Sequence, residues 1–298
     1  MRACPACGST RVVDAWICED CGNRPEVIDG VTAFAPALAS ESEGFREDFF
    51  AELAALEPAS FWFRARNQLI VWSIGTYFPD VGRFLEIGSG TGYVLSGMRS
   101  AFPSAELSGS EIFAAGLAFA AHRVPSAHLY QMDARNIPFR DHFDVIGAFD
   151  VLEHIEDDAA VIESVGRALR PGGGFVVSVP QHPSLWSGQD DHAHHVRRYT
   201  ARELRRKVEA AGFEVVRSTS FVSLLLPLLV ISRARVRHDE SVSASEAMGD
   251  LRQPRAVNMA LGAVMTAERR LIRAGVSFPA GGSLLMVCRK PVATGHRA

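Results

Sequence analysis

The stretch Phe84-Leu85-Glu86-Ile87-Gly88-Ser89-Gly90-Thr91-Gly92 is an apolar run closed by three alternate glycines, and it leads into Tyr93-Val94-Leu95. Such a run reads as a buried strand, and the residues after the glycines as the start of a helix. A side chain at Gly88, Gly90 or Gly92 would hold the backbone away from a ligand, so the loop reads as the floor of a nucleotide-like pocket. The dinucleotide fingerprint places its last glycine one residue further on, which argues against a nicotinamide cofactor.

Working outward, strands and helices alternate. Strands are expected at 84–87, 106–110, 129–132, 143–149, 175–179, 213–219 and 283–288, and helices at 93–101, 114–122 and 159–169. Alternation of apolar strands with helices implies an α/β fold, doubly wound, with a mostly parallel seven-stranded sheet covered on both faces. Ligands of such sheets bind beyond the carboxyl ends of the strands. Before the first strand, residues 41–78 carry Phe45, Phe49, Leu53, Leu56, Phe61, Trp62, Leu69, Ile70, Trp72 and Tyr77 at helical spacing, which predicts two helices that pack on the core or lie over the site as a lid. The chain divides into a ribbon over 1–35, a helical linker or lid over 36–82, the α/β core over 83–220, a cap insertion over 221–275 and a last core strand with its tail over 276–298. The cap opens on the apolar run 221–231, passes through polar residues 238–250 and ends in a helix over 256–274; contact with a membrane surface is its alternative role.

A chain of 298 residues, 47% hydrophobic and 22% charged, excludes the disordered and fibrous classes. Its net charge of −3 exerts no general pull on nucleic acid, although Arg197-Arg198, Arg205-Arg206-Lys207 and Arg233 to Arg237 are local basic clusters. Met1-Arg2-Ala3-Cys4-Pro5 lacks an apolar signal core, and no stretch approaches the ~20 apolar residues of a membrane span, so a cytoplasmic location is the default expectation.

Four of the five cysteines fall in Cys4-Pro5-Ala6-Cys7 and Cys18-Glu19-Asp20-Cys21, each pair followed by glycine. Two such knuckles at the ends of a short hairpin can place Cys4, Cys7, Cys18 and Cys21 tetrahedrally around a structural zinc ion. Two disulfides are the rival, disfavoured in a reducing compartment. Cys288, within an apolar run, reads as a buried thiol.

Glu111 ends the second core strand, where an acid can accept from both hydroxyls of a ribose. Asp133 ends the third, where a carboxylate can accept from an adenine amino group while Met132 and Ala134 offer apolar contact; the alternative is a turn or N-cap aspartate. Together with Phe149-Asp150-Val151-Leu152-Glu153-His154-Ile155 and Leu169-Arg170-Pro171-Gly172-Gly173-Gly174, these stretches resemble the class I S-adenosylmethionine-dependent methyltransferases, most of all the branch that includes the quinone-biosynthesis enzymes. The resemblance covers residues 80–220 and implies a Rossmann-like core. It also implies that Glu86, Gly88, Ser89, Gly90 and Gly92 face the methionine part of the cofactor, Glu111 the ribose, Asp133 and Ala134 the adenine, and Phe149 the edge of the reaction centre. The ribbon with Val27-Ile28-Asp29-Gly30-Val31 resembles small zinc modules on some bacterial methyltransferases, including ribosomal RNA guanine methylating enzymes.

A sulfonium methyl is already activated, so the protein has chiefly to align the acceptor and exclude water; a hydroxyl acceptor also needs a base. His154, after the fourth core strand, is one candidate. A denser cluster follows the fifth, from Gln181 to Thr200, with His195, Arg198 and Tyr199 as its leading residues and Asp191, His192 and His195 as an alternative metal set. The expected function is methyl transfer to oxygen of a small-molecule or lipid-linked acceptor, with peripheral membrane contact or a protein partner at the ribbon as additional expectations. An RNA methyltransferase is the second reading, lowered by the balanced charge and by the absence of an Asn-Pro-Pro-Tyr-like motif. A third is a non-catalytic module that binds the cofactor and a protein.

Overall fold

The computed structural model describes residues 1–39, 47–236 and 253–292. Phe45 and the polar stretch 238–250 lie outside the described residues. The strands are β1 (Glu26–Ile28), β2 (Val31–Ala33), β3 (Arg83–Ile87), β4 (Glu106–Glu111), β5 (His128–Gln131), β6 (Phe143–Phe149), β7 (Leu169–Pro180), β8 (Glu214–Phe221) and β9 (Ser283–Arg289). The helices are α1 (Glu47–Leu56), α2 (Phe61–Tyr77), α3 (Tyr93–Ala101), α4 (Ala114–Arg123), α5 (Asp158–Ala168), α6 (Gly188–His192), α7 (Ala201–Ala210), α8 (Leu226–Val236) and α9 (Arg255–Arg273).

Successive side chains of a strand face opposite ways, so a strand buried on both faces feeds two cores. Phe84 of β3 joins Val145, Val176, Leu285 and Val287 beneath α2, α3 and α9. Its neighbour Leu85 joins Ile146, Phe175, Val177 and Met286 beneath α5 and α7. The doubly wound α/β architecture follows directly from this apolar patterning.

The sheet runs β1-β2-β5-β4-β3-β6-β7-β9-β8. From β3 the chain winds outward in one direction through β4 and β5, then returns to β3's other side with β6 and β7, all parallel. The point of reversal lies between β3 and β6, and a crevice opens there at the carboxyl ends. The last strand, β9, inserts antiparallel between β7 and β8.

Among the described residues nine strands replace the seven expected. The two extra ones are the Glu26–Ala33 hairpin: β2 pairs in parallel with β5, Thr32 opposite Tyr130 and Ala33 opposite Gln131. Gln131 locks the join, its Nε2 donating to the carbonyl oxygens of Ala35 and Ile112 at 2.9 Å each while its Oε1 accepts from the Ala35 amide. The cysteine segment lies on the same edge. Buried Trp16 packs edge-on against Phe34 and Phe139, ring centroids 4.6 and 5.2 Å away, and the Ala3 amide donates to the Pro138 carbonyl.

At the opposite side, α9 lies against α2. Asn258 accepts from the Phe61 amide at 2.8 Å and donates to the Ala59 carbonyl at 2.9 Å, while Arg269 bonds Gln68. Among the described residues no helix is long and apolar enough to cross a membrane.

Candidate functional site

The loop after β3 is built as its glycines dictate. Gly88, Gly90 and Gly92 all have positive φ, at +65°, +48° and +75°. A Cβ on Gly88 would lie 2.4 Å from Val151, and one on Gly92 3.0 Å from the Ala120 Cα, so these two glycines permit close packing inside the protein. Gly90 differs: a Cβ there meets no protein atom within 4 Å and would stand in open space.

Carboxylates flank this opening. Glu86 is buried, and its Oε2 has no hydrogen-bond partner. Burial pushes its carboxyl well above the usual range, a cost that an ammonium donor would offset. Glu111 accepts from the Gly90 amide at 3.0 Å and the Ile112 amide at 2.8 Å, so it braces the loop while burial raises its own pKa. Gly90 with an open face, a buried acid with one oxygen unpartnered in the strand before it and a second acid braced on its amide fit a nucleoside-amino-acid cofactor.

Asp133 is more committed than its position at a strand end suggests. It caps the short turn Ala134–Asn136 and grips Arg135 through Nε at 3.0 Å and Nη2 at 2.7 Å, which holds its carboxyl below the usual range despite partial burial. Ala134 is buried beside it. Phe149 is buried in the α2-side core, at the carboxyl end of β6. Asp150, the next residue, has φ +57° and pairs with Arg66 of α2 at 2.6 Å.

Helix α1 is tied to the loop through charge. Buried Glu57, just past α1, accepts from Thr91 Oγ1 at 2.6 and 2.7 Å and from Arg123 at 2.5 Å. Of the two predicted helices, α2 packs, burying Leu69, Ile70 and Ile74 in the core, and it sends Arg66 to the carboxyl edge, where it pairs with Asp150.

The second wall comes from the turn after β6 and the loop after β7. His195 Nδ1 lies 2.9 Å from Asp190 Oδ1. Asp190 is itself buried, held by Arg198 at 2.7 Å and by the Ser187 amide at 2.9 Å, and is kept at about 2 by His195 and the arginines despite its burial. His154 stacks edge-on with His195, centroids 4.8 Å apart. Burial, with His195 nearby, pushes His154 down to about 4, so its imidazole is neutral at pH 7.

Three sequence expectations fall differently. Tyr199 is fully buried, its hydroxyl donating to Asp158 at 2.5 Å, and burial raises its pKa far out of range for acid-base work. Arg198 serves Asp190 and the carbonyls of Gln181 and Gly282. Asp191 accepts from Trp186 Nε1, and the groups able to hold a metal among the described residues unite His195 with Glu153 and His154, in place of Asp191 and His192.

Sequence reading missed Glu57, Arg66 and Glu268, and it held Asp190 within the Gln181–Thr200 cluster without singling it out. The signal for Arg66 was there: a charged residue amid the aromatic run of α2. Glu268 of α9 receives the amides of Val222, Ser223 and Leu224 at 2.7 Å each, which holds Val222 at φ +58°, a conformation costly for a β-branched residue. Asp150, His182 and Val222 thus all carry positive φ just past the carboxyl ends of β6, β7 and β8.

At the far edge the cysteine thiols converge: Cys4 and Cys21 sulfurs are 3.6 Å apart, as are those of Cys7 and Cys18. Zn–S bonds of about 2.3 Å set tetrahedral sulfurs about 3.8 Å apart, so the cluster has metal-site dimensions and no disulfide.

Fold, glycine loop and flanking acids define a nucleotide-binding α/β protein of the methyl-transfer class. The chain belongs to the family described as "Methyltransferase domain", which matches residues 59–218. It is 30% identical over 167 residues to a protein of Mycolicibacterium smegmatis named a probable S-adenosylmethionine-dependent methyltransferase, covering 55% of this chain and 63% of that one. It is 28% identical to the demethylmenaquinone methyltransferase of Chlorobaculum parvum, over 46% of this chain and 56% of the relative. In both cases it spans less than two thirds of the relative's length. A chain from the complex between the Haloferax volcanii Trm112 methyltransferase activator and a methyltransferase has the same fold, with a TM-score of 0.53 at 20% identity over 84% of this chain and 99% of that one.

Proposed function

We propose that this protein transfers the methyl group of S-adenosylmethionine to an oxygen of a small-molecule or lipid-linked acceptor. The observation that carries the reading is the open face of Gly90, with Glu111 braced on its amide and buried Glu86 in the strand before it; the His195–Asp190 pair lies in the loop after β7, at the same carboxyl edge of the sheet. When bound, the cofactor supplies a methyl group on a positively charged sulfur. Glu86 would take its amino group, the amides and Ser89 of the glycine loop its carboxylate side, Glu111 its ribose, and Asp133, Ala134 and Phe149 would border its adenine and reacting ends.

His195 is the proposed base. Asp190 holds its Nδ1, which leaves Nε2 to accept the acceptor's proton and Asp190 to stabilise the resulting charge. His154, neutral and edge-on to His195, is a second proton carrier. Tyr199 is a positioning residue that anchors the loop to Asp158. Exposed Leu224, Leu228, Val230 and Ile231 at the start of the cap support a lipid-linked acceptor. A quinone acceptor of the Chlorobaculum relative points the same way.

The basic clusters support a small acceptor over RNA: Arg197 pairs with Asp158 and Glu156, Arg198 with Asp190, Arg205 with Glu209, and Lys207 with Asp158. We further propose that Cys4, Cys7, Cys18 and Cys21 bind a structural zinc ion, with the ribbon's outer face available to a protein partner.

Calorimetric titration with S-adenosylmethionine and S-adenosylhomocysteine, with NAD as control, tests the cofactor. Binding of both sulfur compounds and not NAD is expected; NAD binding alone overturns the reading. Radiolabelled methyl transfer to phenolic and quinol acceptors tests the reaction, and His195→Gln is expected to lower kcat by about 10²- to 10⁴-fold. Cofactor binding with no turnover on any acceptor class would favour the non-catalytic module.

A further inference from the structure

We propose that Glu153, His154 and His195 form a second metal site, one that takes a divalent cation of the manganese and zinc class beside the methyl-transfer crevice. The site itself is independent of the methyl-transfer reading; only its use in orienting an acceptor oxygen rests on that reading.

Each of the three residues offers one ligand atom, and these atoms lie within 4.8 Å of one another. Ligands about 2.1 Å from a shared ion lie about 3–4 Å apart, so the cluster closes on an ion with small side-chain rotations. The three come from two segments that the fold binds together. Glu153 and His154 occupy the turn Leu152–His154 after β6, His195 follows α6, and the Val196 amide donates to the Glu153 carbonyl at 2.7 Å.

Glu153 gives the independent sign that a cation is wanted. It is completely buried, and neither carboxylate oxygen accepts a hydrogen bond. Buried carboxylates are ordinarily paired, hydrogen-bonded or coordinated to a metal. The two arginines whose charge reaches it are engaged elsewhere, Arg66 with Asp150 at 2.6 Å and Arg198 with Asp190 at 2.7 Å. The outer arrangement is that of a metal-bound histidine: Asp190 holds His195 Nδ1 at 2.9 Å, fixing the ring and directing Nε2 away from it. Arg198 and the Ser187 amide fix Asp190 in turn. Two imidazoles and one carboxylate suit a transition metal better than calcium or magnesium, and three protein ligands leave positions free for an oxygen of the acceptor. With the ion seated, His195 is a ligand, and the ion's charge takes over the task of favouring the acceptor's ionised oxygen.

The test uses the 298-residue chain with its thiolate cluster loaded with zinc, titrated with Mn²⁺ while free Mn²⁺ is read by electron paramagnetic resonance. Thiolates select zinc, so manganese reports the Glu-His-His cluster. About one Mn²⁺ per chain is expected to bind, Glu153→Gln and His195→Gln each weakening it at least tenfold, and Asp190→Asn about 10- to 100-fold. Cys7→Ser is expected to lose zinc and keep manganese. Absence of saturable Mn²⁺ binding in the folded wild type, or equal binding by Glu153→Gln and His195→Gln, overturns the site. Circular dichroism certifies each variant as folded; should Glu153→Gln not fold, half-buried His195 carries the test. S-adenosylhomocysteine binding, measured on the same samples, reports separately on the methyltransferase reading.

Discussion

Replacing Gly90 by leucine separates ligand binding from folding at a single position. Its φ of +48° lies in the left-handed region, where a side chain costs roughly 1–2 kcal/mol. No protein atom lies within 4 Å of the new Cβ, so the first added carbon brings no packing cost. Against a typical stability of about 5–15 kcal/mol the variant stays folded, and its Tm falls by a few degrees. The leucine fills the crevice itself. We expect S-adenosylhomocysteine affinity to drop at least ~100-fold, about 2.7 kcal/mol, with zinc content unchanged. Gly92→Ala is the counter-case, because its Cβ would sit 3.0 Å from the Ala120 Cα and 3.1 Å from its Cβ, forcing α4 to move. It should lose more stability per added carbon than Gly90→Leu. Calorimetry for binding and thermal denaturation for stability decide the matter. A folded Gly90→Leu protein whose affinity stays within about threefold of wild type would refute the placement of the ligand over this loop.

Three further outcomes are expected. Arg123→Met strips Glu57 of its cationic partner and should cost about 3 kcal/mol in urea unfolding, with Glu57→Gln recovering part of it in the double variant; a cost under about 0.5 kcal/mol would show that the pair is loose. His142 is lowered to about 4, chiefly by burial, with the Met1 ammonium and Arg83 adding to it. Its contribution is complete above about pH 6.5 and is lost as pH falls toward 4. The full shift is about 3 kcal/mol, which solvent around the half-buried ring reduces to about 1–2 kcal/mol; His142→Gln should flatten stability across that window, and an unchanged profile would contradict the assignment. Removing the proposed zinc with a chelator should loosen both knuckles and free Trp16 from Phe34 and Phe139, shifting its emission to the red; a Trp16→Phe protein with the same spectral change would refute that source.

What could be read from the sequence was what depends on local pattern. The strands from β3 to β9 announced themselves because an apolar run between glycines and acids has few other uses, and the glycine loop because three alternate glycines need a reason. Pairing across long separations left no such mark: nothing in Val31-Thr32-Ala33 says that it lies beside Tyr130. Side-chain partners within a motif were equally hidden. Asp133 is open to two readings from sequence, ligand acid or N-cap; it does cap the turn Ala134–Asn136, and nothing in the sequence shows that the Arg135 guanidinium also grips its carboxylate. In the loop after β7, Asp190 and Asp191 look alike as text; the capping box at Ser187 turns Asp190 inward to His195 and leaves Asp191 to Trp186.

The edge pairing of the N-terminal segment also sets an order of events during synthesis. This segment leaves the ribosome well ahead of its neighbours: Ala35 bonds Gln131, 96 positions away, and Met1 bonds the Arg140 carbonyl, 139 positions away. Contacts of such separation form only after the intervening chain is available, and they slow folding. Until then the apolar residues Trp16 and Phe34 have no sheet to cover, and β1 and β2 form only a two-stranded ribbon, too small to be stable alone. A metal ion bound across Cys4, Cys7, Cys18 and Cys21 would act within this short stretch without waiting for the rest. It would keep the nascent segment compact until β5 emerges to receive it.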